Sequence, residues 1–258
     1  MKTPLALFLW IHLYLWINPI PTQNSVLNRF TLPKGYHRVD CPKGSFGEWL
    51  ENLPLKPEGS HTWTYTGHLS DLDGYTAGVI DLSLDTKGLQ QCADAVIRMR
   101  SEYLFSKKDY SAIAFHFTNG LLCKYLEYAK GYRFIHSQWI PKEKSDFSKS
   151  AYEKYNLLIF TYAGTLSLNK ELKKVDASNE IKAGDVFIKP GSPGHCFQIL
   201  EVIENPMHQK KFLIAQSFIP AQDIQILQIN GNPWFSMEEK NALPYGDLIN
   251  FKYLKKFD

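Results

Sequence analysis

Three short apolar segments in the C-terminal half, separated by turns, constrain the fold of this chain more than any other feature. They cover residues 185–188, residues 195–202 and residues 212–218. Runs of this length, rich in β-branched and aromatic residues and bounded by Gly, Pro and Asn, are typical of β-strands. The sequence therefore predicts an antiparallel sheet in the C-terminal half.

The segments before this sheet have helical periodicity. Apolar residues recur at helical spacing from Leu89 onward and predict a helix over about residues 86–105. Residues 150–172 are also predicted to be mostly helical, with Gly164 weakening the middle. We therefore expect an α+β fold in which the helical part comes first and the antiparallel sheet follows.

The length and composition predict one folded domain with an export signal. The chain has 258 residues, of which 44% are hydrophobic, enough for one sizeable core. Residues 1–25 combine a basic start at Lys2 with an apolar run too short to span a membrane comfortably, as in a signal peptide or an N-terminal anchor. Residues 26–258 form the predicted single α+β domain. The protein is thus expected to be exported, periplasmic or extracellular, and to touch a membrane only through an uncleaved N-terminal segment.

Charge and motif patterns exclude several function classes. The net charge is only +3, and the one basic cluster, at the C-terminal end, is predicted to be a solvated tail rather than a nucleic-acid surface. The four cysteines include no C-x-x-C, and the eight histidines show no metal-binding spacing. There is no G-x-G-x-x-G, P-loop or G-x-S-x-G pattern. The sequence therefore predicts no metal, no cofactor and no nucleic-acid partner.

Three residues have the types and chain order of a cysteine hydrolase site. Cys92 lies in the predicted helix, His195 at the head of one strand, and Gln216 on the next strand. A thiol becomes a good nucleophile when a helix N-terminus and an imidazole lower its pKa. We therefore predict Cys92 as nucleophile, His195 as general acid and base, and Gln216 as the group that orients the imidazole.

Each of these roles has an alternative. If Asp85 or Thr86 caps the helix, Cys92 lies nearly two turns inside it and suits a core position. His195 also fits a structural histidine, and the amide of Gln216 is equally satisfied by a backbone carbonyl.

Four further residues are predicted to bind the substrate. Gln90 and Gln91 precede Cys92, where a side-chain amide beside the backbone N–H of Cys92 would form an oxyanion hole. The alternative is that both glutamines lie on the surface of the first helical turn. Tyr162 and Thr165 are expected to line the same cleft.

Most of the chain is similar to one protein family. The segments SFGEWLENLPLKP, DLSLDTKGLQQCADAVIRMRSEYL, IAFHFTNG, IFTYAGTLSL, GDVFIKPGSPGHCFQILEVI and KKFLIAQSFIPAQDI resemble the bacterial domain-of-unknown-function family 4846. That resemblance implies no activity. Family members usually carry Ala where this chain has Cys196, which implies that Cys196 is not a required ligand or nucleophile.

A remoter resemblance bears on function. The order GDVFI, GH, ILEVI and FLIAQS, with Cys92 upstream, is similar to the pattern of papain-like enzymes and cell-wall amidases. It implies a papain-like fold and a cysteine hydrolase or amidase acting on peptide or cell-wall peptide amides, without a cofactor. This chain departs from the pattern in having Ala93 and Asp94 after the cysteine and a glutamine directly before it.

The rival hypothesis is a non-catalytic envelope protein of the same fold that binds peptide or carbohydrate. Tryptophans would then line a sugar- or peptide-binding groove, and the candidates are Trp49, Trp63, Trp139 and Trp234. The alternative is that these tryptophans are core residues.

Overall fold

The computed structural model describes residues 24–135 and 138–258. Nearly all of the predicted signal peptide or anchor, residues 1–25, lies outside the described residues. Within the described ranges, no helix combines the length and the apolar character that crossing a membrane requires.

Short helices and strands alternate along the described chain. The α-helices are α1 (Val26–Arg29), α2 (Phe46–Glu51), α3 (Cys92–Ser106), α4 (Tyr125–Ala129), α5 (Lys149–Tyr162) and α6 (Thr165–Glu171). The strands are β1 (His37–Arg38), β2 (Thr76–Val79), β3 (Ala114–His116), β4 (Leu122–Lys124), β5 (Tyr132–Ile135), β6 (Gln138–Pro141), β7 (Lys173–Lys174), β8 (Val186–Lys189), β9 (His195–Glu204), β10 (Lys210–Gln216), β11 (Gln225–Leu227) and β12 (Leu254–Lys256).

One antiparallel sheet organises the molecule. Its strand order is β2-β11-β10-β9-β8-β12-β7, and β1 pairs with the far end of β9. The strands β8, β9 and β10 are the three segments predicted from the sequence, and they lie side by side. Two separate hairpins, β3–β4 and β5–β6, lie outside this sheet.

Both faces of the sheet are covered. Helix α3 packs against β9 and β10, and its Met99 joins a core cluster that includes Leu200 and Leu213. The other face packs against the C-terminal segment, with Phe197 and Phe212 fully buried between them. Because β9 is central and buried on both sides, the residues at its ends are held firmly.

The predicted α+β class with a mostly antiparallel sheet is confirmed. The predicted order, with the helical part first, is not confirmed, because β1 and β2 precede α3. The predicted helix over residues 150–172 is two helices, α5 and α6. They are separated at Ala163 and Gly164, whose backbones are both extended.

Candidate active site

Helix α3 begins at Cys92, and the predicted start at residue 86 is wrong. The residue before it, Gln91, has an extended backbone, and its N–H donates to the carboxylate of Asp94 at 3.0 Å. The side chain of Asp94, the third residue of the helix, thus satisfies the backbone N–H of the residue that precedes the helix. Cys92 is therefore the first helical residue, where unpaired backbone N–H groups and the helix dipole favour a negative charge.

The segment before Cys92 is a turn rather than a helix. The Asp85 carboxylate accepts the backbone N–H of Lys87 at 2.7 Å and that of Gln90 at 3.2 Å. Leu89 continues the apolar periodicity of the helix into this turn, which explains why the sequence predicted an earlier start.

His195 and Gln216 meet at one edge of the sheet. They lie at the start of β9 and the end of β10, which are antiparallel neighbours with Gln198 opposite Ala215. The Nε2 atom of His195 lies 2.6 Å from the Oε1 atom of Gln216, and both side chains are buried. Because an amide oxygen only accepts, Nε2 carries the proton, and Nδ1 is the ring nitrogen that remains available to another partner.

Aromatic rings enclose the imidazole of His195. Tyr245 stacks on it with a centroid distance of 4.8 Å, and Phe197 and Phe218 contact its other sides at 4.9 and 5.3 Å. Tyr245 could not be predicted from the sequence, because it belongs to an irregular C-terminal segment without periodicity.

The sulfur of Cys92 lies 4.0 Å from the carbonyl oxygen of Gly194. Three groups favour its ionisation: the thiol of Cys196, the imidazole of His195 and the backbone N–H of Ala93. Led by Cys196, they lower the pKa of Cys92 well below that of an ordinary thiol, to about 5, although burial acts in the opposite direction. The hydrogen bond to Cys92 and complete burial raise the pKa of Cys196 well above its usual value. Cys196 is thus a neutral donor to the Cys92 thiolate, a contact that the sequence analysis missed.

Asp94 is the acidic residue nearest to Cys92 in the first turn of α3. One oxygen of its carboxyl group accepts the Gln91 N–H, and the other has no hydrogen-bond partner among the described residues. Burial raises the pKa of Asp94 well above its usual range, and the nearby Cys92 thiolate adds to this effect. The surroundings of Asp94 therefore disfavour its ionised form, whereas those of Cys92 favour the thiolate.

A cleft of about 360 Å³ opens over Cys92 and His195. Gln91 and Thr165, two of the predicted substrate-binding residues, both line it. The hydroxyl of Thr165 donates to the carbonyl oxygen of Gly191 at 3.3 Å, which ties the start of α6 to the loop before His195.

Gln90 and Tyr162 do not line this cleft. Gln90 is buried, and its amide donates to the carbonyl oxygen of Gln222 at 3.4 Å, because the turn before Cys92 directs it toward the sheet. Tyr162 is 54% exposed and packs against Phe117 on the outside of α5. Neither residue lies in the cleft as predicted, because the position of a residue in the chain does not determine where its side chain points.

Metal-ligating side chains, cysteines and tryptophans were also considered as site residues. No group of three or more His, Cys, Asp or Glu side chains in the described ranges is arranged to hold a metal ion. All four cysteines are free thiols. The four tryptophans proposed for a binding groove are absent from the lining of this cleft, and Trp234 is buried.

The arrangement can support nucleophilic chemistry. It combines a thiolate at a helix start, an imidazole that reaches the sulfur, an amide that fixes the imidazole, and a cleft that admits a small group.

Comparison with known proteins gives one match. No curated protein and no solved structure matches the chain, so neither supports the papain-like part of the predicted fold. The family model described as domain of unknown function (4846) matches residues 26–253. Since this match covers nearly the whole chain, the protein belongs to the domain-of-unknown-function family 4846.

Proposed function

We propose that this protein is an exported cysteine-dependent hydrolase or amidase with a papain-like catalytic arrangement. The observation that carries the proposal is that Cys92 and His195 line the same cleft and that the Gln216 amide holds the His195 imidazole at 2.6 Å, while His195 helps to lower the pKa of Cys92. Peptide amides, including those of cell-wall peptides, are the substrates that we propose.

The proposed reaction proceeds through a thioester. The Cys92 thiolate attacks the amide carbonyl carbon, and the backbone N–H of Cys92 with the Gln91 side chain stabilises the oxyanion. Protonated His195 gives its proton to the leaving nitrogen, so the C–N bond breaks and an amine departs. Neutral His195 then takes a proton from water, the resulting hydroxide attacks the thioester carbonyl, and the acid product and thiolate are released.

Gln216 acts as a positioning residue. Its oxygen accepts from Nε2 of His195 and thereby keeps Nδ1 directed at the sulfur throughout the reaction. Tyr245 restricts the same ring from its face.

Export is proposed on the sequence alone. The basic and apolar character of residues 1–25 supports it. Mass spectrometry of the native protein from cell envelopes should show loss of roughly the first 20 residues. Full-length protein in the cytosol would contradict export and leave the chemistry at Cys92 untouched.

The proposed activity is tested by variants in a screen against peptide amides and peptidoglycan fragments. Cys92→Ala should abolish hydrolysis while the fold is retained, and His195→Ala should cost more than Gln216→Ala, because orienting a base is secondary to being one. Cys123→Ala is the matched control, since Cys123 is also a buried free thiol but lies outside the cleft lining.

The rival, a non-catalytic envelope protein of the same fold, predicts a different result. Binding of peptide or carbohydrate without turnover in the native protein, or a stable Cys92→Ala variant with full activity, would end the cysteine-hydrolase proposal.

A further inference from the structure

A second groove adjoins the cleft over Cys92. It has a volume of about 350 Å³ and lies against α5 and the β5–β6 hairpin. Leu89 and Thr161 line both the groove and the cleft. A molecule held over Cys92 therefore reaches the groove by passing these two side chains.

The groove combines apolar walls with positive charge. Tyr128 and Leu157 belong to its apolar wall, and Lys87, Arg133 and Lys154 provide the charge. None of the side chains that line it is acidic. Such a surface binds a chain that is partly apolar and carries a negative group.

Arg133 is held in place by its neighbours. Its guanidinium lies 3.9 Å from the centre of the Tyr128 ring and donates to the carbonyl oxygens of Tyr128 and Tyr132 at 2.9 and 2.7 Å. Its charge is balanced by an ion pair with Glu143, whose side chain is 58% exposed. Arg133 thus forms a rigid part of the groove wall.

The charges of Lys87 and Lys154 are not balanced in this way. Both residues are exposed, and within the described part of the chain neither ammonium has a carboxylate at ion-pair distance. Asp85 accepts the backbone N–H of Lys87 rather than its ammonium. Two positive charges without a carboxylate at ion-pair distance therefore face an apolar groove that is continuous with the cleft, although the charge of Lys154 also acts on the exposed Asp146.

We infer that this groove is a subsite for a carboxylate-bearing arm of the substrate, an acyl or peptide chain whose reacting carbonyl lies over Cys92. The inference rests on the proposed function and adds a substrate class to it. The apolar walls would contact the carbon chain of the arm, and the two lysines would attract its carboxylate.

The test compares two thiol reagents that differ only in charge. Maleimidohexanoic acid and its primary amide, maleimidohexanamide, carry the same apolar arm, so their rates of reaction with Cys92 report the preference for a carboxylate. Intact-mass and peptide mass spectrometry would measure both rates in the full chain at low ionic strength. We expect the acid to react roughly fivefold faster than the amide, as two exposed charge interactions allow.

The double variant Lys87→Gln, Lys154→Gln should reduce this ratio to near one. The matched control is Lys34→Gln, Lys43→Gln, which removes the same net charge from exposed residues outside both linings and should retain the ratio. High salt, which shortens the Debye length to about 3 Å at 1 M, should reduce the ratio in the native protein.

Failure of the subsite and failure of the proposed function look different. If Cys92 reacts rapidly with both reagents and the lysine variants leave the ratio unchanged, the groove is not a carboxylate subsite, while the nucleophile stands. If Cys92 reacts no faster than the other cysteines, the proposed function fails, and the inference fails with it.

Discussion

At the scale of single residues, Cys92 depends on its neighbours. Its thiolate is buried, which by itself would raise the pKa, and it is stabilised by donors from β9 and from its own helix. Cys196 is the strongest of these donors, although the sequence pattern marks it only as a small apolar residue of a core strand.

The contribution of Cys196 can be measured directly. Cys196→Ala removes the thiol donor, so the pKa of Cys92 should rise by about one to two units, since a hydrogen bond to a charged group contributes about 1.5–3 kcal/mol. The pH dependence of Cys92 alkylation by iodoacetamide, followed by peptide mass spectrometry, should move to higher pH accordingly. Cys123→Ala, which changes a distant buried thiol, should leave the profile in place, and an unchanged profile in Cys196→Ala would contradict the role of Cys196.

At the scale of elements, the site lies where the ends of two helices and two strands meet. The start of α3, the start of β9, the end of β10 and the start of α6 converge, and the loop of residues 191–194, which leads into β9, is hydrogen-bonded to the start of α6. Gly194 in that loop has no room for a side chain. An added Cβ there would lie 2.6 Å from the carbonyl oxygen of Gly191 and would also meet the hydroxyl of Thr165.

Gly194→Ala should therefore displace the loop and the adjoining His195. We expect Cys92 alkylation at mildly acidic pH, and any hydrolysis that is found, to fall by roughly ten- to a hundredfold, because small misplacements of a reacting group are costly. Gly164→Ala is the matched control, since Gly164 lines the same cleft but has no atom near its Cβ position. Equal rates in the two variants would show that the loop does not position His195.

The sequence predicted these elements to different degrees. The strands β8, β9 and β10 were predictable because their apolar segments are short and bounded by turns, and this placed His195 and Gln216 at one edge. The start of α3 was not predictable from periodicity, because the cap at Asp94 and the turn at Asp85 are decided by individual hydrogen bonds.

At the scale of the whole molecule, β9 links the site to a buried carboxyl group further along the same strand. Glu201 is completely buried and lies 2.7 Å from the guanidinium of Arg38 on β1. Burial raises the pKa of Glu201 to about 7, although the charge of Arg38 acts in the opposite direction. The folded state therefore favours the protonated form of this carboxyl group.

The sign of the resulting pH dependence follows from linkage. A carboxyl group whose folded pKa lies above its unfolded value, about 4.3, stabilises the fold fully below that value and loses this contribution as the pH rises to about 7. The native protein should therefore lose stability between about pH 4 and 7.

Glu201→Gln should flatten this decline, by about 1.4 kcal/mol for each unit of pKa shift that is removed. Urea unfolding of both proteins at several pH values checks this expectation. Asp185 provides a common background, because burial also raises its pKa to about 7 in both proteins. Parallel pH dependences in the native protein and in Glu201→Gln would contradict the assignment.

The proposed chemistry depends on the pairing of Cys92 with His195. The alkylation of the four cysteines as a function of pH tests this pairing most directly. We predict that Cys92 reacts fastest at mildly acidic pH, with a midpoint near the pKa of about 5. Cys41 serves as an internal reference, since it is more exposed but burial and Glu51 raise its pKa to about 12. His195→Ala should slow the labelling of Cys92 and move its midpoint to higher pH, whereas a Cys92 profile with an ordinary thiol midpoint, unchanged in His195→Ala, would contradict the central claim.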